Sequence, residues 1–141
     1  LANRMRSSPY SVLLLDEFPN TVVDVHISIL QANASTRVAG INAASLALAQ
    51  AGVPMKELIA AVSVGKIDTT LVTDVIKEEE DYEDGEGSTD IPMAFLGTSE
   101  KISLLQLDGK CSPKKIKEAI ELGEKACRQI IELQRKILKS L

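Results

Sequence analysis

The chain has 141 residues, 45% hydrophobic and 26% charged, a balance that fits one globular domain and excludes global disorder. Aromatic residues are only 3% with no Trp, against a base-stacking platform, and two cysteines with one histidine exclude a disulfide framework or a four-ligand zinc site. The net charge of −4 is the sum of an acidic stretch over 77–90, at −7, a basic tail over 110–141, at +5, and a remainder near neutral.

Ser8-Pro9 reads as an N-cap followed by a first-turn proline, with Val12, Leu13 and Leu15 as the apolar side of the helix it opens. Pro19-Asn20 ends that element. From Thr21 to Leu30 the pattern alternates: Val23, Val25, Ile27 and Ile29 fall on one face, and Asp24, His26 and Ser28 on the other. Such alternation predicts a half-buried strand, with His26 on its polar face. The run VAGINAASLALAQAG, closed by Gly52 and Pro54, predicts a buried helix of small and aliphatic residues. Ser35, Thr36 and Arg37 stand at its N-terminus, where free backbone N–H groups and the helix dipole favour an anion; an N-cap with an exposed arginine is the plainer reading.

Leu58–Val64 and Thr70–Val75 predict a central hairpin, followed by an acidic loop in which like charges repel and favour a solvated chain. Ile91–Leu96 and Ile102–Leu107 predict two further strands. Ser112-Pro113 opens a long helix whose apolar stripe runs through Ile116, Ile120, Gly123, Cys127, Ile130, Ile131, Leu138 and Leu141. Cys127 therefore reads as core and not as a nucleophile. Reduced thiols suit a cytoplasmic chain, and no run approaches the roughly 18 apolar residues of a membrane span.

Three features bear chemistry: the anion site at Ser35, Thr36 and Arg37; Asp74 at a strand end; and the cluster Glu78, Glu79, Glu80 and Asp81. A phosphate held by a helix N-terminus and an arginine, opposite carboxylates that hold Mg²⁺ or deliver a proton, suits phosphoryl transfer. An EF-hand does not fit DYEDGEGSTD, which lacks glycine at the sixth loop position and glutamate at the twelfth. There is no Walker P-loop, no GxSxG and no CxxC.

The stretch FPNTVVDVHISILQANASTRVAGINAASLALAQAGVPMKELIAAVSVGKID, followed by TD, an acidic loop and TDIPMAF, resembles the RNase PH superfamily. Within it the chain is most similar to the catalytic RNase PH-like subunits of the archaeal and eukaryotic RNA exosome. The resemblance implies an α+β fold, the second half of an RNase PH-like domain built from βαβ units like those of ribosomal protein S5 domain 2, with a mixed sheet and helices. Residues 1–141 then form the C-terminal portion of one RNase PH-like domain. The family's upstream arginine pair would fall just before Leu1, so a piece of a longer subunit is expected.

Carried over residue by residue, the family's phosphate-binding Gly-Ser/Thr-Arg becomes Ser35, Thr36 and Arg37, with serine in place of glycine and Asn33 in place of the usual acidic residue. The first family aspartate falls on Asp74. The second falls on Glu80 without a gap, or on Asp81 with one inserted residue, and Asp81 is preferred because the family's preceding glutamate then matches Glu80. The resemblance implies a 3′→5′ phosphorolytic exoribonuclease with inorganic phosphate as co-substrate, Asp74 and Asp81 as its catalytic carboxylates, and Asp81 acting as general acid or, with Asp74, as a Mg²⁺ ligand. It further implies single-stranded RNA as substrate, a six-membered ring shared with non-catalytic RNase PH-like subunits, RNA-binding cap subunits, no membrane, and a cytoplasmic location, also nuclear in a eukaryote. The competing expectation is a structural ring subunit without catalysis. A free-standing acidic-loop interaction module is the third.

Overall fold

The computed structural model describes residues 12–14, 17 and 19–140. In chain order these form α1 (Thr36–Gln50), β1 (Ile59–Ile67), β2 (Thr70–Thr73), α2 (Lys77–Glu80), β3 (Ser88–Leu96), β4 (Ile102–Leu105) and α3 (Pro113–Ser140). The strands make one sheet in the order β2-β1-β3-β4. Every pairing is antiparallel, where the family resemblance implies a mixed sheet. The fold class is α+β, as expected.

The two faces of the sheet follow from the period-2 alternation of β1 and β3. Ala60, Val62, Val64, Ile91, Met93 and Phe95 face α3 and meet its Ala119, Cys127 and Ile131. Ile59, Ala61 and Ala94 belong to a second cluster with Val38 and Ile41 of α1 and with Val12. The buried line of α3 runs Ala119, Gly123, Cys127, Ile131, a spacing of four that keeps one face against the sheet. Burial pushes the Cys127 thiol up to about 12, so it is packing and not a nucleophile.

Because β2 is only four residues long, it covers only the C-terminal part of β1. The bare edge at Ile59 and Ala61 is completed by side chains. Asn42 of α1 accepts from the Ala61 N–H and donates to the Ala61 carbonyl, both at 2.8 Å. The Ser45 hydroxyl accepts from the Ile59 N–H at 3.0 Å, and Gln134 of α3 donates to the Ile59 carbonyl at 3.2 Å. Unmade hydrogen bonds at a buried edge are costly, and these three residues remove that cost while docking both helices.

Three local expectations change. The helix opened at Ser8-Pro9 falls largely outside the described residues, but Leu13 makes a β-bridge with Met55 and is not helical. Residues 21–30 carry the strand alternation but are in no ladder among the described residues, and Val22 and Leu30 are 82% and 98% exposed. Alternation sets which side chains share a face; a strand still needs a neighbour for its N–H and C=O groups. Within the acidic stretch a short helix, α2, replaces part of the expected loop. Among the described residues no helix is long and apolar enough to cross a membrane.

Candidate active site

The N-terminus of α1 opens into a cleft of about 530 Å³ on the α1 face of the sheet. Ala34 and Ser35, immediately before the helix, both have left-handed backbone, φ 57° and 49°. Ser35 makes no side-chain cap bond to the helix; its hydroxyl instead donates to the Val75 carbonyl at 2.8 Å. The first-turn amides of α1 are thus left uncapped by Ser35. Residues 34–38 all line the cleft, so the positive end of the helix dipole serves it. The Arg37 guanidinium stands in the same wall and donates to Oε1 of Gln106, just beyond β4.

Opposite this positive wall lie three carboxylates. Glu80 closes α2, Asp90 comes from β3 and Asp108 follows β4, and all three line the cleft. Asp90 points to the α1 face because it shares strand parity with Pro92 and Ala94. It accepts a hydrogen bond from the Ser63 hydroxyl of β1. Its backbone N–H and C=O pair with those of Asp108 at 2.9 and 2.8 Å, which brings the β4 exit alongside. Burial pushes the Asp90 carboxyl above its ordinary range. The Ser63 hydrogen bond opposes this, Glu80 and Asp108 add to it by like charge, and Arg37 works against it.

The expected residues divide. Ser35, Thr36 and Arg37 line the cleft together; Asp74 and Asp81 do not. Asp74 takes a left-handed φ of 63° after β2, where its N–H donates to the Ser63 carbonyl. Asp81 is exposed, and its carboxylate pairs with Lys77 at 2.6 Å. Successive residues on a helical turn point about 100° apart, so one of the pair Glu80 and Asp81 can face the cleft, and that one is Glu80. The ungapped alignment would have selected it. Asp90 was hidden in the acidic run, although the alternation Asp90, Pro92, Ala94 carried the signal. Ser63, Gln106 and Asp108 left no mark in sequence that separates them from ordinary strand and turn residues.

Sequence profiles of the 3′ exoribonuclease family match the chain twice: domain 1 over residues 1–54 and domain 2 over residues 57–126. The chain belongs to the 3′ exoribonuclease family. This is the RNase PH superfamily that its motifs resemble, and the cleft lies where the two domain matches meet in space: α1 comes from the first, and Glu80, Asp90 and Gln106 from the second. Among its curated relatives in this exoribonuclease family is the exosome complex component Rrp41 of Thermococcus gammatolerans, 47% identical over 135 residues, 96% of this chain and 53% of the relative. The Rrp41 component of Nitrosopumilus maritimus is 44% identical over 126 residues, 89% of this chain and 50% of the relative. The chain thus spans about half the length of these relatives. The crystal structure of rice (Oryza sativa) Rrp46 superposes with a TM-score of 0.87 over 97% of this chain and 63% of that one, at 24% identity, a likeness of fold alone.

Proposed function

We propose that this chain is part of a 3′→5′ phosphorolytic exoribonuclease, a catalytic subunit of an RNA exosome. The observation that carries the reading is one cleft with an uncapped helix N-terminus and Arg37 on one wall and Glu80 with Asp90 on the other. Inorganic phosphate would lie against the α1 amides, the Thr36 hydroxyl and the Arg37 guanidinium, where charge-assisted hydrogen bonds are strongest. A phosphate oxygen would attack the phosphorus of the RNA 3′-terminal phosphodiester. That bond forms as the bond to the 3′-oxygen of the preceding nucleotide breaks, and a nucleoside diphosphate leaves. Asp90, held protonated more readily than an ordinary aspartate, suits proton delivery to the departing 3′-oxygen.

Mg²⁺ is proposed as the metal. Among the described residues no three His, Cys, Asp or Glu side chains form a cage, but Mg²⁺ is commonly held by one or two carboxylates together with substrate phosphates. Glu80, a hard oxygen donor facing the anion wall, would hold it with those phosphates. The ion would supply charge neutralisation at the reacting phosphoryl group. The wider assembly is proposed on the exosome names of the curated relatives. It is a cytoplasmic six-membered ring with non-catalytic RNase PH-like subunits and RNA-binding cap subunits, acting on single-stranded RNA.

The test is release of nucleoside diphosphate from single-stranded RNA and phosphate by the full-length chain in its assembly. Glu80→Gln should lower the rate at least about 10²-fold, while Asp81→Asn should stay within about threefold of the parent. A dead Asp81→Asn with an active Glu80→Gln returns the acidic role to Asp81. Activity in both variants removes Glu80 and Asp81 from catalysis, and loss of activity in Asp90→Asn then separates an enzyme that relies on Asp90 from a structural subunit.

A further inference from the structure

The two walls of the cleft are physically tied. Helix α2 has four residues, far fewer than the roughly 12–15 an isolated helix needs, so its position depends on tertiary bonds. Its N-cap is Ile76, whose side chain has no acceptor to offer. The Ile76 N–H is satisfied locally by the Glu79 carboxylate at 3.0 Å. The next amide, that of Lys77, donates instead to Oδ1 of Asn33 at 3.0 Å, across 44 residues of sequence. Asn33 belongs to the loop that leads into Thr36 and Arg37, and two residues on, Ser35 ties the same loop to Val75. At the other end of α2, the Ser88 hydroxyl of β3 donates to the Glu80 carbonyl at 2.5 Å. Glu80 is therefore suspended between the anion loop and the strand that carries Asp90.

We propose that Asn33 is a positioning residue: by accepting the Lys77 N–H it caps α2 from the anion loop and fixes Glu80 opposite Arg37. The inference rests on the cleft being the phosphorolytic site. It adds that the two walls move as one unit, so that ordering the loop around phosphate also sets the acidic side. The asparagine supplies the acceptor that the cap requires, and Oδ1 is the only part of the side chain that the bond uses.

The experiment uses the full-length chain in its assembly, with Asn33→Ala, Asn33→Asp and, as a reference for the site itself, Glu80→Gln. Two quantities are read: hydrogen exchange at the Lys77 amide, and kcat and the phosphate KM for phosphorolysis of single-stranded RNA. Asn33→Ala should speed Lys77 exchange about fivefold, the effect of a lost cap. It should also lower kcat by a similar factor with a smaller change in phosphate KM, and Asn33→Asp should restore both. Unchanged Lys77 exchange in Asn33→Ala, or no rescue by Asn33→Asp, overturns the positioning role. A fully active Glu80→Gln overturns the underlying assignment of the site, and the exchange measurement then still decides whether Asn33 caps α2.

Discussion

Asp90 is the residue on which burial, hydrogen bonding and charge act together. Its carboxyl is raised first by burial, with Glu80 and Asp108 adding like charge, against the pull of Ser63 and Arg37. Since the folded pKa lies above the unfolded value, the unfolded chain gives up this proton first as pH rises. The contribution of Asp90 to stability is therefore complete below the unfolded value, near pH 4, and is lost as pH rises through the folded one. Asp90→Asn should then be at least as stable as the parent at pH 7, with its relative advantage shrinking toward pH 4. Denaturant unfolding at the two pH values measures this. The same substitution should reduce phosphorolysis about 10²–10⁴-fold, the usual contribution of a positioned acid. A site that costs stability for the sake of chemistry gives this pairing of outcomes, whereas a structural carboxylate would lose both.

Among the elements, the turn between β3 and β4 is held from outside by Glu57. Its carboxylate accepts from the Thr98 N–H, the Ser99 N–H and the Ser99 hydroxyl, each at 2.8 Å. Burial alone would raise the Glu57 pKa, but these bonds and the Lys101 charge outweigh it and leave the carboxyl below its ordinary range. Its stabilising effect is present above the unfolded value, near pH 4.5, and is lost as pH falls through the lower folded one. Glu57→Gln should lower the melting temperature at pH 7 and have a smaller effect at pH 3. The packing of α3 on the sheet has a different weak point. A Cβ at Gly123 would collide with the sulfur of Met93, a member of the larger core cluster. Gly123→Ala should cost about 1–3 kcal/mol by overpacking, despite the better helix propensity of alanine, and thermal unfolding checks it. When it is paired with Met93→Ala, which removes the atoms it crowds, the two costs should be less than additive.

At the level of the whole molecule, residues 21–30 leave an alternating apolar segment outside any ladder among the described residues. Val25 and Ile29, on its apolar side, are 44% and 49% exposed, beside the nearly bare Val22 and Leu30. Exposed apolar side chains on both faces of a segment outside any ladder are a template for association. The 141-residue chain should self-associate as its concentration rises, and the double substitution of Val25 and Ile29 by Thr should weaken that association. Light scattering over a dilution series reads both. A monomer at all concentrations would mean that the segment is covered within the chain itself.

The family resemblance supplied the class of fold, and periodicity by itself determined the order of helices and strands. It located α1 and α3, the β1–β2 hairpin and the strands at Ile91 and Ile102, because burial of one face imposes a spacing that can be read locally. It also put Thr36 and Arg37 at a helix N-terminus, since Gly52 and Pro54 mark where that helix stops. It could not separate Glu80 from Asp81. Their neighbourhoods in sequence are equally acidic, and which one enters the cleft depends on how α2 is capped by Asn33 and tied to Ser88. Nor could it bring in Asp90, Ser63 and Gln106, which meet only because β1, β3 and the end of β4 lie side by side. The alternation at 21–30 was read correctly as a two-faced segment, but a strand is completed by hydrogen bonds to a second segment. Local pattern specifies which side chains share a face; only tertiary structure decides what that face meets.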